Sequence, residues 1–250
     1  MMRMTMIGNE RIGIDRTGAA GPEERRREME YGSIDMAMAA SAEGIRTFGD
    51  GGMFLQDSGI QAIPGTRTLY LDGPVTDQMA CAFNVMLLML EQGAADKDVT
   101  VYISSPGGSV SAGLSMADTM ALVSCDVATV CVGQAASIGA VLLMCGTKGK
   151  RTILPHSNVL IHQPSLSGGE RPSMQTTDLS IVARAMESTR KAVYELMAEA
   201  TGQSMERIER DCDRDHYLNA AEAVEYGIAD AVARPHPRPD AGRRDDADED

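Results

Sequence analysis

Gly133-Gln-Ala-Ala-Ser137-Ile-Gly-Ala140 follows a β-branched run at 127–132 and leads into an apolar run at 140–144. That order reads as strand, tight turn, then buried helix. Ser137 then stands where a helix begins, among small residues. Backbone N–H groups at a helix start have no intrahelical partner and point outward. A serine there is either an N-cap or a nucleophile with an oxyanion pocket beside it, and the rest of the chain must decide.

Working outward, the same pattern recurs. Residues 66–71 alternate as a strand, and Asp77 is placed to cap a helix reaching Glu91 with Met79, Phe83, Met86, Leu87 and Leu90 on its apolar face. A second strand at 99–104 runs into Ser105-Pro-Gly-Gly108, followed by a helix to about Val123. Extended pieces at 151–154 and 158–162 precede a long helix at 173–200, which Gly202 ends in a C-cap position. Short helices at 204–211 and 219–225 and a last strand at 228–232 complete the core. Strands alternating with helices imply right-handed βαβ units and a parallel sheet, an α/β fold.

The ends are different in kind. Residues 1–60 are rich in Gly, Met and charge and read as a flexible N-terminal extension, with Gly49-Asp-Gly-Gly52 breaking any regular element. Residues 234–250 alternate Pro and charge and close on acidic residues, as a disordered tail does. The packed core is thus 61–233.

The 250 residues carry a net charge of −13, which argues against a nucleic-acid partner. No apolar run reaches the ~18 residues of a membrane span, and no signal peptide is recognisable. The five cysteines contain no Cys-x-x-Cys pair. They read as buried thiols of a reducing compartment, with no disulfide frame and no metal site. The cytoplasm is the expected location.

A nucleophilic serine needs a base, and the base needs a group to fix its tautomer. Of the four histidines, His236 lies in the tail, His156 follows Pro155 in a turn and His216 adjoins acidic residues. His162 ends the apolar run Val159-Leu-Ile161 and precedes Gln163-Pro164, a strand end suited to a cleft. The acid lies among Asp211, Asp213 and Asp215, and spacing does not choose between them. Ser105-Pro-Gly-Gly108, like the Ser137 turn, joins a strand to a helix, so both lie at carboxyl edges of a parallel sheet, where sites form. The N–H groups of Gly108 and Ile138 would make a two-donor oxyanion hole. A phosphate-binding turn is the alternative, but no Walker or dinucleotide fingerprint is present. The Gly-x-Ser-x-Gly elbow of α/β-hydrolases fails because Ala135 precedes Ser137 by two. A Ser–Lys dyad would have to recruit Lys148 or Lys150 from a polar turn.

At this point the ordered motifs Tyr102-Ile-Ser-Ser-Pro-Gly-Gly108, Asp118-Thr-Met120, Gly133-Gln-Ala-Ala-Ser137, Gly146-Thr-Lys-Gly-Lys-Arg151, Ile161-His-Gln-Pro164, Thr201-Gly-Gln-Ser204, Asp213-Arg-Asp215 and Ala223-Val-Glu-Tyr-Gly227 decide the matter. The chain resembles the Clp protease proteolytic subunit family (ClpP) across 67–233. The resemblance implies a crotonase-like fold of repeated ββα units with a protruding handle, a strand plus the long helix. It implies Ser137 as nucleophile, His162 as base and Asp215 as orienting acid, with Gly108 and Ile138 as oxyanion donors. Gly107, Ser109 and Pro164 are expected to contact substrate, and Arg214 to sense contact between rings.

The implied activity is that of a serine endopeptidase degrading unfolded polypeptides in protein quality control. Its subunits form heptameric rings stacked face to face as a tetradecamer, fed by a hexameric AAA+ Clp unfoldase. ATP serves only that partner, so the chain itself needs no cofactor. Segment 52–66 departs from the family pattern, the loop 165–174 is longer, and Thr100 replaces a common aromatic. The long N-terminus is either a propeptide or an extension. These departures motivate an alternative, a structural subunit of a mixed ring with a second paralogue. A crotonase-type acyl-CoA enzyme is disfavoured by the intact Ser-His-Asp set.

Overall fold

The computed structural model describes residues 45–48, 52–55, 58–165 and 175–234. One sheet runs through it in the order β1 (Ile45–Phe48), β2 (Gly52–Leu55), β3 (Ile60–Ile63), β4 (Thr68–Asp72), β5 (Val99–Ser105), β6 (Val127–Ala136), β7 (Arg151–Ile153) and β10 (Ala231–Val232). Pairing is antiparallel from β1 to β4 and parallel from β4 onward. The helices are α1 (Asp77–Gly93), α2 (Val110–Leu122), α3 (Ile138–Met144), α4 (Thr176–Thr201), α5 (Met205–Asp211) and α6 (Ala220–Tyr226). Two strands leave the main path: β8 (Asn158–Ile161) adds to β6, and β9 (His216–Asn219) adds antiparallel to β8.

The expected βαβ units are present, with the sheet continuing where the sequence reads as loose. β1 and β2 pair antiparallel on either side of the stretch containing Gly49 to Gly51, so the glycine-rich segment joins two paired strands. β3 extends the antiparallel part onto β4. Flexibility for the whole of 1–60 therefore does not hold at these strands. The rest of that expectation, the tail from 235 and most of the loop 165–174 lie outside the described residues.

Local chemistry explains the helix starts. Thr76, not Asp77, is the N-cap of α1: its extended backbone (φ −120°) lets its side chain accept from the Met79 N–H at 3.1 Å. Asp77 is the first helical residue, where a negative charge suits the helix dipole. Met79, Phe83, Met86 and Leu87 are buried as the periodicity requires, each contributing about 1.5–3 kcal/mol, while Leu90 is half-buried against the same core. Gly202 and Gly227 end α4 and α6 in the left-handed conformation.

The largest difference from expectation lies in β6. Gly133 does not end the strand; it bends it. Residues 127–131 pair with β5 in register, then the register slips so that Ser105 faces Ala135. Gly133 takes a φ of 71° and its N–H turns out of the ladder to the Ser157 hydroxyl at 2.8 Å. Beyond this bulge residues 134–136 pair with β8. β6 thus carries both halves of the sheet, and the turn is reduced to Ser137.

A buried cation locks the far end. Arg151 is 3% exposed and grips Asp230 through Nε (3.0 Å) and Nη2 (2.6 Å). Its Nη1 donates to Ala200 O and Met144 O, carbonyls at the ends of α4 and α3. Among the described residues no helix is long and apolar enough to cross a membrane.

Candidate active site

Ser137 follows the last residue of β6 and precedes α3. Its φ is 56° and ψ −124°, the only positive φ at a non-glycine residue among those described. Its side chain makes no capping bond, so the N-cap reading is not the one realised. The strained backbone is pinned by the Ser137 N–H bonding Leu160 O at 2.8 Å and by α3, every residue of which is buried.

Packing explains the neighbouring glycines. A Cβ on Gly107 would lie 2.6 Å from Ser137 Cβ, so only glycine lets the two strand ends touch. Gly108 bridges in parallel to Val75: the Val75 N–H donates to Gly107 O and Val75 O accepts from the Ser109 N–H, both at 2.8 Å. In such a bridge the N–H of the middle residue points away from the partner. The Gly108 and Ile138 N–H groups donate to no group among the described residues. They are available as a donor pair on either side of Ser137.

Strand register brings the other groups in. Ile161 pairs with His216 across β8 and β9, so one step further His162 faces Asp215. His162 Nδ1 lies 3.6 Å from Asp215 Oδ1. β8 is also the parallel neighbour of β6, with Leu160 opposite Ala136. Ser137 and His162 therefore leave adjacent strand ends, and both line a tight apolar pocket of about 20 Å³ with Val110, Val141, Val193 and Met197. No hydrogen bond joins Ser137 to His162 in the single chain. Catalytic contacts are often long before substrate binds.

His162 also opens onto a wider cavity of about 590 Å³, bounded by Pro164, Leu179, Met186, Asp213, Arg214 and Asp215. Arg214 is 83% exposed, and among the described residues its Nη1 reaches only Asp213, at O (2.7 Å) and Oδ1 (3.4 Å). Pro164 lines both spaces. Ser109 is engaged elsewhere: it caps α2 by accepting from the Ala112 N–H and donates to Asp77.

Competing chemistries lose their residues. Lys150 is held by Asp98 (2.5 Å) and Asp126 (2.7 Å), so it is not a base for Ser137. Burial pushes the Cys131 thiol up to about 11 and those of Cys145 and Cys212 to about 12, so none is a thiolate at neutral pH. Cys125 is also buried, but Cys81 is exposed, against the expectation for its apolar segment. No cluster of metal-ligating side chains occurs among the described residues.

Val193 and Met197 went unnoticed in the sequence. Their signal is an i, i+4 apolar pair near the end of an otherwise polar helix. β9, which begins directly after Asp215, is four residues long and has no counterpart among the elements read from the sequence.

The bent β6, parallel core and protruding α4 define the crotonase-like class of α/β proteins, here with a hydroxyl, an imidazole and a carboxylate at one sheet edge. The family model described as Clp protease matches residues 56–236. The chain belongs to the Clp protease family and is a peptidase of the Clp type.

Proposed function

We propose that this chain is the active proteolytic subunit of an ATP-dependent Clp protease, hydrolysing unfolded polypeptides by serine chemistry. The observation that carries the reading is the β6–β8–β9 register, which aligns Ser137, His162 and Asp215 on three adjacent strand ends. Ser137 Oγ attacks the scissile carbonyl, and His162 accepts its proton and later delivers it to the leaving amine. Asp215 holds the imidazole through Nδ1. The oxyanion forms between the N–H groups of Gly108 and Ile138, each such donor being worth about 10²–10³ in rate. Water then repeats the sequence on the acyl-enzyme.

The subunit works in stacked rings, with the exposed half of α4 as the contact between them. A AAA+ unfoldase supplies unfolded chain and uses the ATP. The same geometry would serve no purpose in a purely structural ring member.

Ser137→Ala is expected to abolish cleavage of a fluorogenic dipeptide, a loss of ~10⁶, and to abolish labelling by a fluorophosphonate. Undiminished labelling of that variant would refute the assignment. Turnover that begins only when a second ring paralogue is added would favour the structural reading over the active one.

A further inference from the structure

We infer that Gln163 is a positioning residue of the catalytic group, acting through Asp215. The inference rests on the triad reading above.

Asp215 is a poorly anchored acid. Its side chain is 62% exposed, and residues 213–215 between α5 and β9 belong to no helix or strand. The 3.6 Å to His162 exceeds the ~2.7–2.9 Å of a charge-assisted hydrogen bond. Among the described residues its carboxylate has no other partner. Its position must therefore come from the backbone on either side. On one side that is the pairing of His216 with Ile161. On the other side it is Gln163, whose backbone N–H donates to Cys212 O at 2.7 Å and whose side-chain Nε2 donates to Asp213 O at 2.9 Å.

Gln163 directly follows His162. The acid's segment is thus tied, before and after Asp215, to the two neighbours of the base. Shifting the base shifts the acid with it, which keeps Nδ1 and Oδ1 facing each other. The side-chain type matters because the tether is a donation to a carbonyl. A carboxylate there has nothing to donate. Arg214 also donates to Asp213 O, but from within the same loop, so it adds no link to β8.

The test is a double-mutant cycle read by kcat, KM and the rate of fluorophosphonate labelling. Gln163→Met keeps the side chain's length and removes both amide donors; Gln163→Glu keeps the outline but replaces the donor by a charged carboxylate that only accepts at neutral pH. Both are expected to lower kcat and the labelling rate by about 10–100-fold, since a shift of ~1 Å in a catalytic group costs of that order. KM and the native mass of the assembly should stay the same. In an Asp215→Ala background the same two substitutions should change the labelling rate by less than about twofold, because their effect passes through a group no longer there.

An equal loss in both backgrounds, or a change confined to KM, overturns the inference. So does a loss with Met but not with Glu, which would mean packing alone. A severe loss in Asp215→Ala beside unaffected Gln163 variants overturns this inference and leaves the triad standing. Unaffected Asp215→Ala overturns the triad reading and this one with it.

Discussion

Ser137 shows how a fold can hold a residue where its own preferences would not. A positive φ at a non-glycine residue costs about 1–3 kcal/mol and persists only when its surroundings over-determine it. Here β6 before it and the wholly buried α3 after it leave no other path. The neighbouring Gly107 is the other half of the arrangement, with φ at 97° and no room for a Cβ. Gly107→Ala should therefore displace Ser137 and lower kcat/KM by ~10²-fold or more, measured on a fluorogenic peptide. Full activity in that variant would mean the strand ends separate at no cost. Ser137 and His162 were legible as candidates from local pattern, a strand-to-helix break and a histidine ending an apolar run. Asp215 was not: of three aspartates within five positions, Asp211 closes α5 and Asp215 directly precedes β9, a distinction the local pattern does not carry. Resemblance chose it, and β9 supplies the physical reason for the contact with His162.

At the scale of elements, long periodic segments were readable and short polar ones were not. α1 and α4 announce themselves by apolar spacing and glycine ends. β3 and β9 have four residues each, and β9 exposes two of its four. The bulge in β6 hid behind Gly133, which reads equally as a turn. The Arg151–Asp230 pair, too, could not be foreseen, because 79 residues separate its members. Burial raises the Asp230 carboxyl, but hydrogen bonds and charge from Arg151, with the Gly149 N–H, outweigh it and hold the group below its usual range. A depressed folded pKa contributes stability that is present above the unfolded value of about 3.9 and is lost as pH falls through the folded one. Asp230→Asn would leave Arg151 buried without its counter-charge and is expected to cost ~3–5 kcal/mol at pH 7. In urea titrations the gap between wild type and variant should narrow as pH drops below about 4. A gap independent of pH would show that the carboxylate's charge is not what matters.

Among the described residues, α4 leaves large apolar side chains unsatisfied within one chain. Only Val193, Tyr194 and Met197 near its end are buried, while Leu179 and Ile181 are 48% and 56% exposed. A helix with that distribution stabilises itself against another copy or remains costly. Replacing Leu179 and Ile181 by aspartate should reduce the assembly to single rings or protomers by native mass spectrometry. The melting temperature of the protomer should change little, since neither side chain is in the core. A double-ring mass in that variant would move the ring contact elsewhere. The sequence revealed a long helix here; which half of it lacked a partner depended on where the sheet stopped.

The off-path position of β8 and β9 divides the site into parts of unequal stiffness. The hydroxyl belongs to the foundation, seated on the central strand and a helix with no exposed residue. The imidazole and the carboxylate ride on a two-stranded ribbon fastened to that foundation by three residues of β6. α4 touches both parts: it packs on α3 through its C-terminal half and faces the ribbon across the wider cavity through Leu179 and Met186. Ser137 is itself tied to that ribbon through its N–H on Leu160 O, so a shift of the strand that carries His162 also reaches the strained serine.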